Sequence, residues 1–215
     1  MPFIKTIAPA AASGEVRDMY ARQQSAWGYV PNYAKVFCHR PEVMARWARL
    51  LAEIRRPMDA RRFELVTFAA AHALRNSACS LAHGKALTAF FDAGVVRALA
   101  AGENSDSLTD AEIAMMHFAR KVALDASRIT SGDVEKLRGH GFDEGEIFDI
   151  TATAAGRAFF TKMLDSLGVE PDSPFLGMES SLRESLTVGR PIDPRRPALL
   201  EADRPGQAVT VPGPR

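Results

Sequence analysis

Residues 64 to 83 read Glu64-Leu-Val-Thr-Phe-Ala-Ala-Ala-His72-Ala-Leu-Arg-Asn76-Ser77-Ala-Cys79-Ser-Leu-Ala-His83. Asn76, Cys79 and His83 follow one another at intervals of three and four residues, so on a helix their side chains project from one face. Glu64 would lie roughly 22 Å from Cys79 along a single unbroken helix. The glutamate can therefore reach the thiol only if the chain folds back between them.

The pair Asn76-Ser77 predicts such a break, because both residue types favour helix N-caps over helix interiors. A helix that begins there has Cys79 in its first turn, where the helix dipole lowers the pKa of a thiol. His83, one turn later, could take or hold the thiol proton, and Glu64 on the preceding helix could orient the imidazole. We predict Cys79, His83 and Glu64 as catalytic residues, with the Asn76 amide beside the thiol.

This stretch resembles the core of the alkylhydroperoxidase D (AhpD) and carboxymuconolactone decarboxylase superfamily. The peroxidase branch carries Glu, eleven residues, Cys-x-x-Cys, three residues and His; this chain has Glu64, eleven residues, Asn76-Ser-Ala-Cys79, three residues and His83. Asn76 stands where the first cysteine would be. The resemblance covers roughly residues 15 to 185 and includes Tyr29-Val-Pro-Asn-Tyr33 ahead of the core.

Helical spacing of apolar residues and the absence of an alternating strand pattern predict an all-α fold. The resemblance implies a compact AhpD-like domain of about seven to nine helices. We expect an N-terminal arm over residues 1–13, the helical domain over 14–188, and a Pro-rich tail over 189–215 that is extended or disordered. The predicted helix N-caps include Asp59, Thr109 and Asp143.

The composition of the chain excludes several classes of protein. Its 215 residues are 47% hydrophobic and 25% charged, which is typical of one globular domain, and its net charge of +1 indicates neither a nucleic-acid surface nor an acidic partner. No apolar run is long enough for a signal peptide or a membrane span. Two cysteines without a framework pattern agree with a reducing compartment, so we predict a cytoplasmic protein.

The resemblance implies thiol peroxidase chemistry, in which paired cysteines reduce a hydroperoxide and close into a disulfide. Asn76 cannot form that bond, so one-cysteine chemistry remains: the Cys79 thiolate attacks the peroxide, becomes a sulfenic acid, and is returned by an external thiol or by Cys38. Glu64 and His83 would act as the proton relay. The Asn76 amide would bind the thiolate or the departing oxygen.

Two other functions stay open. In the decarboxylase branch, acid-base chemistry acts on small carboxylated lactones; Glu64 and His83 would then be acid and base, Asn76 would bind a substrate oxygen, and Cys79 would be a bystander. The second is a non-catalytic helical oligomer with a degenerate pocket that binds a small ligand or stabilises a partner, and the absence of the first cysteine is its main support.

His72 lies eleven residues before His83 and is either a second polar group of the same pocket or a hydrogen-bonded packing residue. His39, His117 and His140 have no ligand-like spacing, so we predict no metal site and no cofactor. The predicted partners are a small-molecule substrate and an external thiol reductant, without nucleic acid or membrane. The resemblance further implies a homo-oligomer such as a dimer, trimer or hexamer.

Overall fold

A computed structural model describes residues 2–103 and 105–200 of the chain. This part contains no strand, which confirms the all-α prediction. Its ten α-helices, α1 to α10 in chain order, are Gly14–Trp27, Asn32–Val36, Pro41–Arg55, Ala60–Ala73, Ser77–Leu87, Ala93–Ala101, Asp110–Asp125, Ser131–Gly139, Glu144–Ser166 and Ser180–Leu186.

The described part has ten α-helices, against an expectation of about seven to nine. The sequence pattern does not predict two of them, α6 and α10. Gly94 lies inside the first turn of α6, and α10 is only seven residues long. Short 3-10 helices complete the described part, at Pro9–Ala11, Phe37–His39, Ala126–Arg128 and Ser173–Gly177.

The predicted N-caps are confirmed. The Asp59 side chain accepts a hydrogen bond from the Arg62 N–H at 2.9 Å and so begins α4. Thr109 and Asp143 form capping boxes at the starts of α7 and α9, each with a glutamate three residues later. These local bonds satisfy backbone donors that a helix start leaves unpaired.

Helix α4 is the central helix, and it packs against α5, α7 and α9. Eight consecutive or near-consecutive residues of α4 are buried, among them Ala69, Ala70 and Ala71 with no exposed area. Small side chains let neighbouring helices approach closely. The Ala-rich run therefore provides tight packing around the residues that follow it.

Within the described residues, no helix is both long and apolar enough to cross a membrane.

Two hydrophobic clusters form the core. The larger cluster contains residues of every helix from α4 through α10. The smaller cluster joins α1, α2 and α3 to the end of α9 through Phe160 and Leu164. Cys79 belongs to the smaller cluster, whereas Leu81 on the same helix belongs to the larger. The predicted site therefore lies where the N-terminal helices meet the central bundle.

The end of the described chain, residues 189–200, runs back across the domain as an extended strap. The Gly189 N–H donates to Ser77 Oγ at 2.8 Å, and the Leu200 N–H donates to Gln24 Oε1 at 2.8 Å. The strap is thus fixed at both ends, beside the start of α5 and against α1. The remainder of the predicted Pro-rich tail, residues 201–215, lies outside the described residues.

Candidate active site

The chain reverses direction between α4 and α5, as the sequence predicts. Arg75 adopts a left-handed backbone with φ 57°, and Asn76 follows as the N-cap of α5. The Asn76 Oδ1 accepts a hydrogen bond from the Cys79 N–H at 2.8 Å. This turn folds α5 back along α4 and places Cys79 in the first turn of the new helix.

The reversal brings Glu64 of α4 against His83 of α5. His83 Nδ1 lies 2.6 Å from Glu64 Oε2, and both side chains are mostly buried. A carboxylate only accepts hydrogen bonds, so Nδ1 carries the hydrogen and Nε2 keeps a lone pair. The imidazole is therefore oriented by the glutamate and can accept a proton at Nε2.

Cys79 has a buried cation as its neighbour. Arg157, on α9, donates from Nη1 to Cys79 Sγ at 3.6 Å, and the two residues are 5% and 4% exposed. Among the described residues, no carboxylate lies within ion-pair distance of Arg157, and its Nε has no hydrogen-bond partner. The guanidinium also lies over the Phe160 ring at 5.6 Å. An unneutralised buried cation therefore faces the sulfur.

The predicted lowering of the Cys79 pKa is wrong. Burial raises the pKa of the thiol, and the charge of Arg157 opposes that shift without reversing it. Burial, together with the charge of Arg157, also lowers the pKa of His83, although Glu64 acts in the opposite direction. The resting site therefore holds a neutral thiol and a neutral imidazole. The helix dipole follows from the position of Cys79 in the first turn of α5, whereas the desolvation depends on the packing of distant segments around the thiol.

These groups line a cavity of about 400 Å³. Its polar lining includes Cys79, Glu64, His83 and Arg157. Most of its remaining wall is apolar and aromatic, from Trp27, Tyr29, Tyr33, Met44, Trp47, Leu51, Phe63, Phe160 and Leu164. Phe160 is stacked between Phe37 and Trp47, at ring distances of 6.0 and 5.9 Å. The volume lies within the range of small-molecule sites, and the wall suits an apolar or aromatic compound.

Asn76 and His72 are not among the residues that line this cavity. Asn76 is buried and caps α5 instead of facing a substrate. His72 Nδ1 lies 3.0 Å from Ser80 Oγ, and burial lowers the pKa of its imidazole. Of the two interpretations of His72, the structure fits the hydrogen-bonded packing residue. Cys38 is buried under the N-terminal arm, where its Sγ accepts from the Ile7 N–H at 3.4 Å, and it does not line the cavity.

Sequence reasoning missed Arg157 and Asp172, both of which line the cavity. A signal for Arg157 exists, since it is the single charged residue in the stretch from Ile150 to Phe160. An arginine is rarely buried among apolar residues unless its charge has a partner, so its presence in this stretch indicates a functional or structural contact. Asp172 has no such signal, because it lies in a Pro-containing segment that reads as an ordinary loop.

The described residues contain no cluster of three or more His, Cys, Asp or Glu side chains that could hold a metal ion. The side chains that could carry chemistry here are the Cys79 thiol, the His83 imidazole with the Glu64 carboxylate, and the Arg157 guanidinium; Arg55 and Asp172 also line the cavity. Such a set can move a proton and stabilise a developing anion next to a sulfur nucleophile.

Comparison with solved structures identifies the fold. An AhpD-core, uncharacterized peroxidase-related protein from Ralstonia eutropha JMP134 is 24% identical, with a TM-score of 0.71 over 82% of this chain and 95% of that one. A peroxidase-related protein from Silicibacter sp. TM1040 is 20% identical, with a TM-score of 0.67 over 82% and 97%. The debrominase Bmp8, as a Cys-to-Ala variant in complex with 2,3,4-tribromopyrrole, is 14% identical, with a TM-score of 0.65 over 86% and 98%.

The chain therefore has the AhpD-like fold, as the sequence resemblance predicts. No protein-family model matches the sequence, and no curated protein matches it significantly.

Proposed function

We propose that this chain is a single-cysteine thiol oxidoreductase of the AhpD and carboxymuconolactone decarboxylase superfamily that reduces organic hydroperoxides at Cys79. One observation carries the proposal: the buried guanidinium of Arg157 lies 3.6 Å from Cys79 Sγ, in a cavity shared with the Glu64–His83 pair. A cation without a carboxylate partner next to a thiol is suited to a sulfur that becomes an anion during reaction.

The reaction begins with proton transfer from the Cys79 thiol to His83 Nε2. Glu64 stabilises the imidazolium that forms, because its carboxylate already holds the Nδ1 hydrogen. The thiolate attacks the outer oxygen of the hydroperoxide, so that an S–O bond forms and the O–O bond breaks. The departing alkoxide takes the proton from His83. Sulfur is oxidised to a sulfenic acid, and the hydroperoxide is reduced to an alcohol.

Arg157 contributes while negative charge exists in the cavity. The charge lies first on sulfur and then on the departing oxygen, and both positions are adjacent to the guanidinium in this mechanism. Because the site is shielded from water, a fixed cation stabilises that charge more than it would at the surface. The neutral resting state does not oppose the mechanism, since thiolate is needed only when the peroxide is present.

Return to the thiol requires an external reductant. Asn76 occupies the position of the first cysteine of a dithiol site, and Cys38 is buried away from the cavity. Two equivalents of a small thiol would regenerate Cys79, with release of one disulfide and one water. Such a thiol is abundant in reducing compartments, so we propose a cytoplasmic location. We also propose a homo-oligomer, because large apolar side chains such as Phe148 and Leu50 remain exposed on this chain.

Acid-base chemistry is the second candidate, and the raised pKa of Cys79 favours it. In that case Glu64 and His83 would exchange protons with a small carboxylated or lactone substrate, with Arg157 binding its anionic group. The cysteine would then be dispensable. The aromatic ligand of the debrominase agrees with either candidate, because both need an apolar cavity of this kind.

The test is to treat the Cys38→Ser variant with limiting cumene hydroperoxide and trap sulfenic acid with dimedone, followed by intact-mass analysis. We expect one dimedone adduct per chain, and none in a Cys38→Ser, Cys79→Ser double variant. No adduct in the single variant, although the folded thiol alkylates under the same conditions, would contradict the proposal. Activity of Cys79→Ser on a lactone substrate would favour the acid-base candidate instead.

A further inference from the structure

Three aromatic rings form one part of the cavity wall, at the junction of α1 and α2. The Trp27 ring lies 6.5 Å from the Tyr29 ring at an interplanar angle of 58°, and 6.4 Å from the Tyr33 ring at 76°. All three rings line the cavity, and the plane of the Trp27 ring is strongly inclined to those of both tyrosines. Rings arranged in this way present several faces and edges around one space. We call this group the aromatic cage.

A buried carboxyl lines the same cavity as the aromatic cage. Asp172 is 7% exposed, and its Oδ1 accepts a hydrogen bond from the Asn32 N–H at 2.9 Å. A carboxylate removed from water is costly unless a cation or several donors neutralise it. Among the hydrogen bonds of the described residues, the Asn32 N–H is the single donor to the Asp172 carboxyl.

No cation forms an ion pair with the Asp172 carboxyl among the described residues, although the charge of Lys35 acts on it. Lys35 is the closest candidate, but its Nζ donates to Asn32 Oδ1 at 2.9 Å, and no ion pair with Asp172 occurs among the described residues. Arg195 pairs with Asp193 at 2.6 Å instead. The carboxyl of Asp172 therefore lacks a direct ion-pair contact among the described residues, and a cation in the cavity could supply one.

Tyr33 connects the cage to the reactive end of the cavity. Burial raises the pKa of the Tyr33 phenol, and both Asp172 and Cys79 are near enough to contribute to the shift. The cavity lining thus carries charges of both signs: Arg157 lies beside the sulfur, and Arg55 and Asp172 also belong to the wall.

We propose that the aromatic cage and Asp172 bind an organic ammonium group, so that the compound presented to Cys79 is an apolar organic cation. Aromatic faces attract a cation through their quadrupoles, and a desolvated carboxylate adds a direct charge interaction. An anionic group is repelled by Asp172, and a purely apolar group leaves the carboxylate unpaired. The identity of this compound as a substrate rests on the proposed function, whereas the binding itself does not.

The test uses choline as the probe and 3,3-dimethylbutan-1-ol as its uncharged analogue of nearly equal shape. Binding of each is measured by calorimetry to the Cys79→Ser variant, so that redox chemistry does not contribute. We expect choline to bind at least tenfold more tightly than the alcohol. Equal affinities, or no binding of choline at millimolar concentration, would overturn the proposal.

Variants assign the preference to named groups. Asp172→Asn keeps the acceptor for the Asn32 N–H and should abolish the preference for choline, whereas Asp18→Asn, which removes an exposed charge from α1, should leave it unchanged. Trp27→Leu should weaken choline binding about tenfold. This variant tests the aromatic cage independently, and it replaces Asp172→Asn in the test if Asp172→Asn does not fold. A choline preference that survives both Asp172→Asn and Trp27→Leu would contradict the assignment.

The pH dependence gives an independent measurement. Burial raises the pKa of Asp172 to about 6, and Asp193 adds to the shift, while the Asn32 N–H and Lys35 oppose it. Tyr29 stays neutral in this range because burial raises its pKa. Choline binding should therefore weaken as the pH falls through 6, when the carboxyl becomes protonated. An affinity that stays constant between pH 5 and pH 8 would contradict the role of Asp172.

The two proposals fail separately. Choline binding without formation of a Cys79 sulfenic acid would refute the peroxidase proposal and leave the cage intact. Formation of the sulfenic acid without any preference for choline would refute the cage and leave the peroxidase proposal intact.

Discussion

Arg157 and Cys79, 78 residues apart in the sequence, meet in the core with the guanidinium Nη1 3.6 Å from Sγ. Desolvation and the guanidinium act on the thiol in opposite directions, and desolvation is the larger effect. The predictions that follow depend on this balance and on the groups that surround it.

Removal of the guanidinium should raise the pKa of Cys79 further. In an Arg157→Met variant in the Cys38→Ser background, we expect alkylation by iodoacetamide at pH 7.5 to slow at least tenfold, because each unit of pKa removes about nine-tenths of the remaining thiolate. Arg157→Lys keeps the charge and should fall between the two proteins. Identical pH profiles of alkylation with and without Arg157→Met would show that the cation does not act on the sulfur.

The same balance predicts the pH profile of the Cys38→Ser protein itself. A free thiol reaches its maximal alkylation rate above its pKa of about 8.5. Since the pKa of Cys79 is raised, its alkylation rate should still increase at a pH where free cysteine is fully ionised and its rate no longer changes. A plateau below pH 8 would mean that the guanidinium outweighs burial.

Loss of the Glu64 carboxylate should impair proton transfer without loss of the fold. Glu64→Gln keeps an acceptor for His83 Nδ1 but no longer stabilises the imidazolium, so we expect oxidation of Cys79 by cumene hydroperoxide to slow ten- to a hundredfold. Glu53→Gln, which removes an exposed acid of α3, is the control and should leave the rate unchanged. Oxidation of Glu64→Gln at the control rate would exclude the relay.

Asn76 should prove structural. Asn76→Ala removes the N-cap of α5 and should lower the free energy of unfolding by about 1 kcal/mol, whereas Asn76→Ser keeps a capping oxygen and should lose less. Urea titrations of the three proteins measure this difference. A weaker interaction with peroxide at unchanged stability would instead support the substrate-binding role that the sequence predicts.

The strap should depend on the absence of a side chain at Gly189. A Cβ at this position would lie 2.0 Å from the Arg75 carbonyl oxygen, at the turn that precedes Asn76. We expect Gly189→Ala to lower the free energy of unfolding by about 1 to 3 kcal/mol, because backbone must move. Gly177→Ala, whose Cβ would meet nothing within 4 Å, is the matched control. Equal stability of both variants would mean that the strap yields freely.

Local sequence features were sufficient for the helices that begin with a strong cap and for the reversal at Asn76. They also located Glu64, Cys79 and His83, which the turn brings to one cavity; their catalytic role stays a prediction. The sequence did not predict helix α6 because Gly94 interrupts its helical pattern. Helix caps and turns depend on residues that are neighbours along the chain, which is why the sequence predicts them.

The remaining features depend on contacts between distant segments. The raised pKa of Cys79 results from its burial in the cluster with the N-terminal helices. The position of Arg157 beside the thiol results from the packing of α9 on α4, which also holds α5. Asp172 enters the cavity only because its segment packs against Asn32. No spacing within the sequence encodes these distances.

The central claim is that the site makes Cys79 react with a hydroperoxide despite a raised pKa. The most direct test is the second-order rate constant for Cys79 oxidation by cumene hydroperoxide, measured by stopped-flow in the Cys38→Ser protein and compared with free cysteine at pH 7.5. We predict a rate constant at least a hundredfold above that of free cysteine, with most of the gain lost in Arg157→Met. A rate constant equal to or below that of free cysteine would contradict the account.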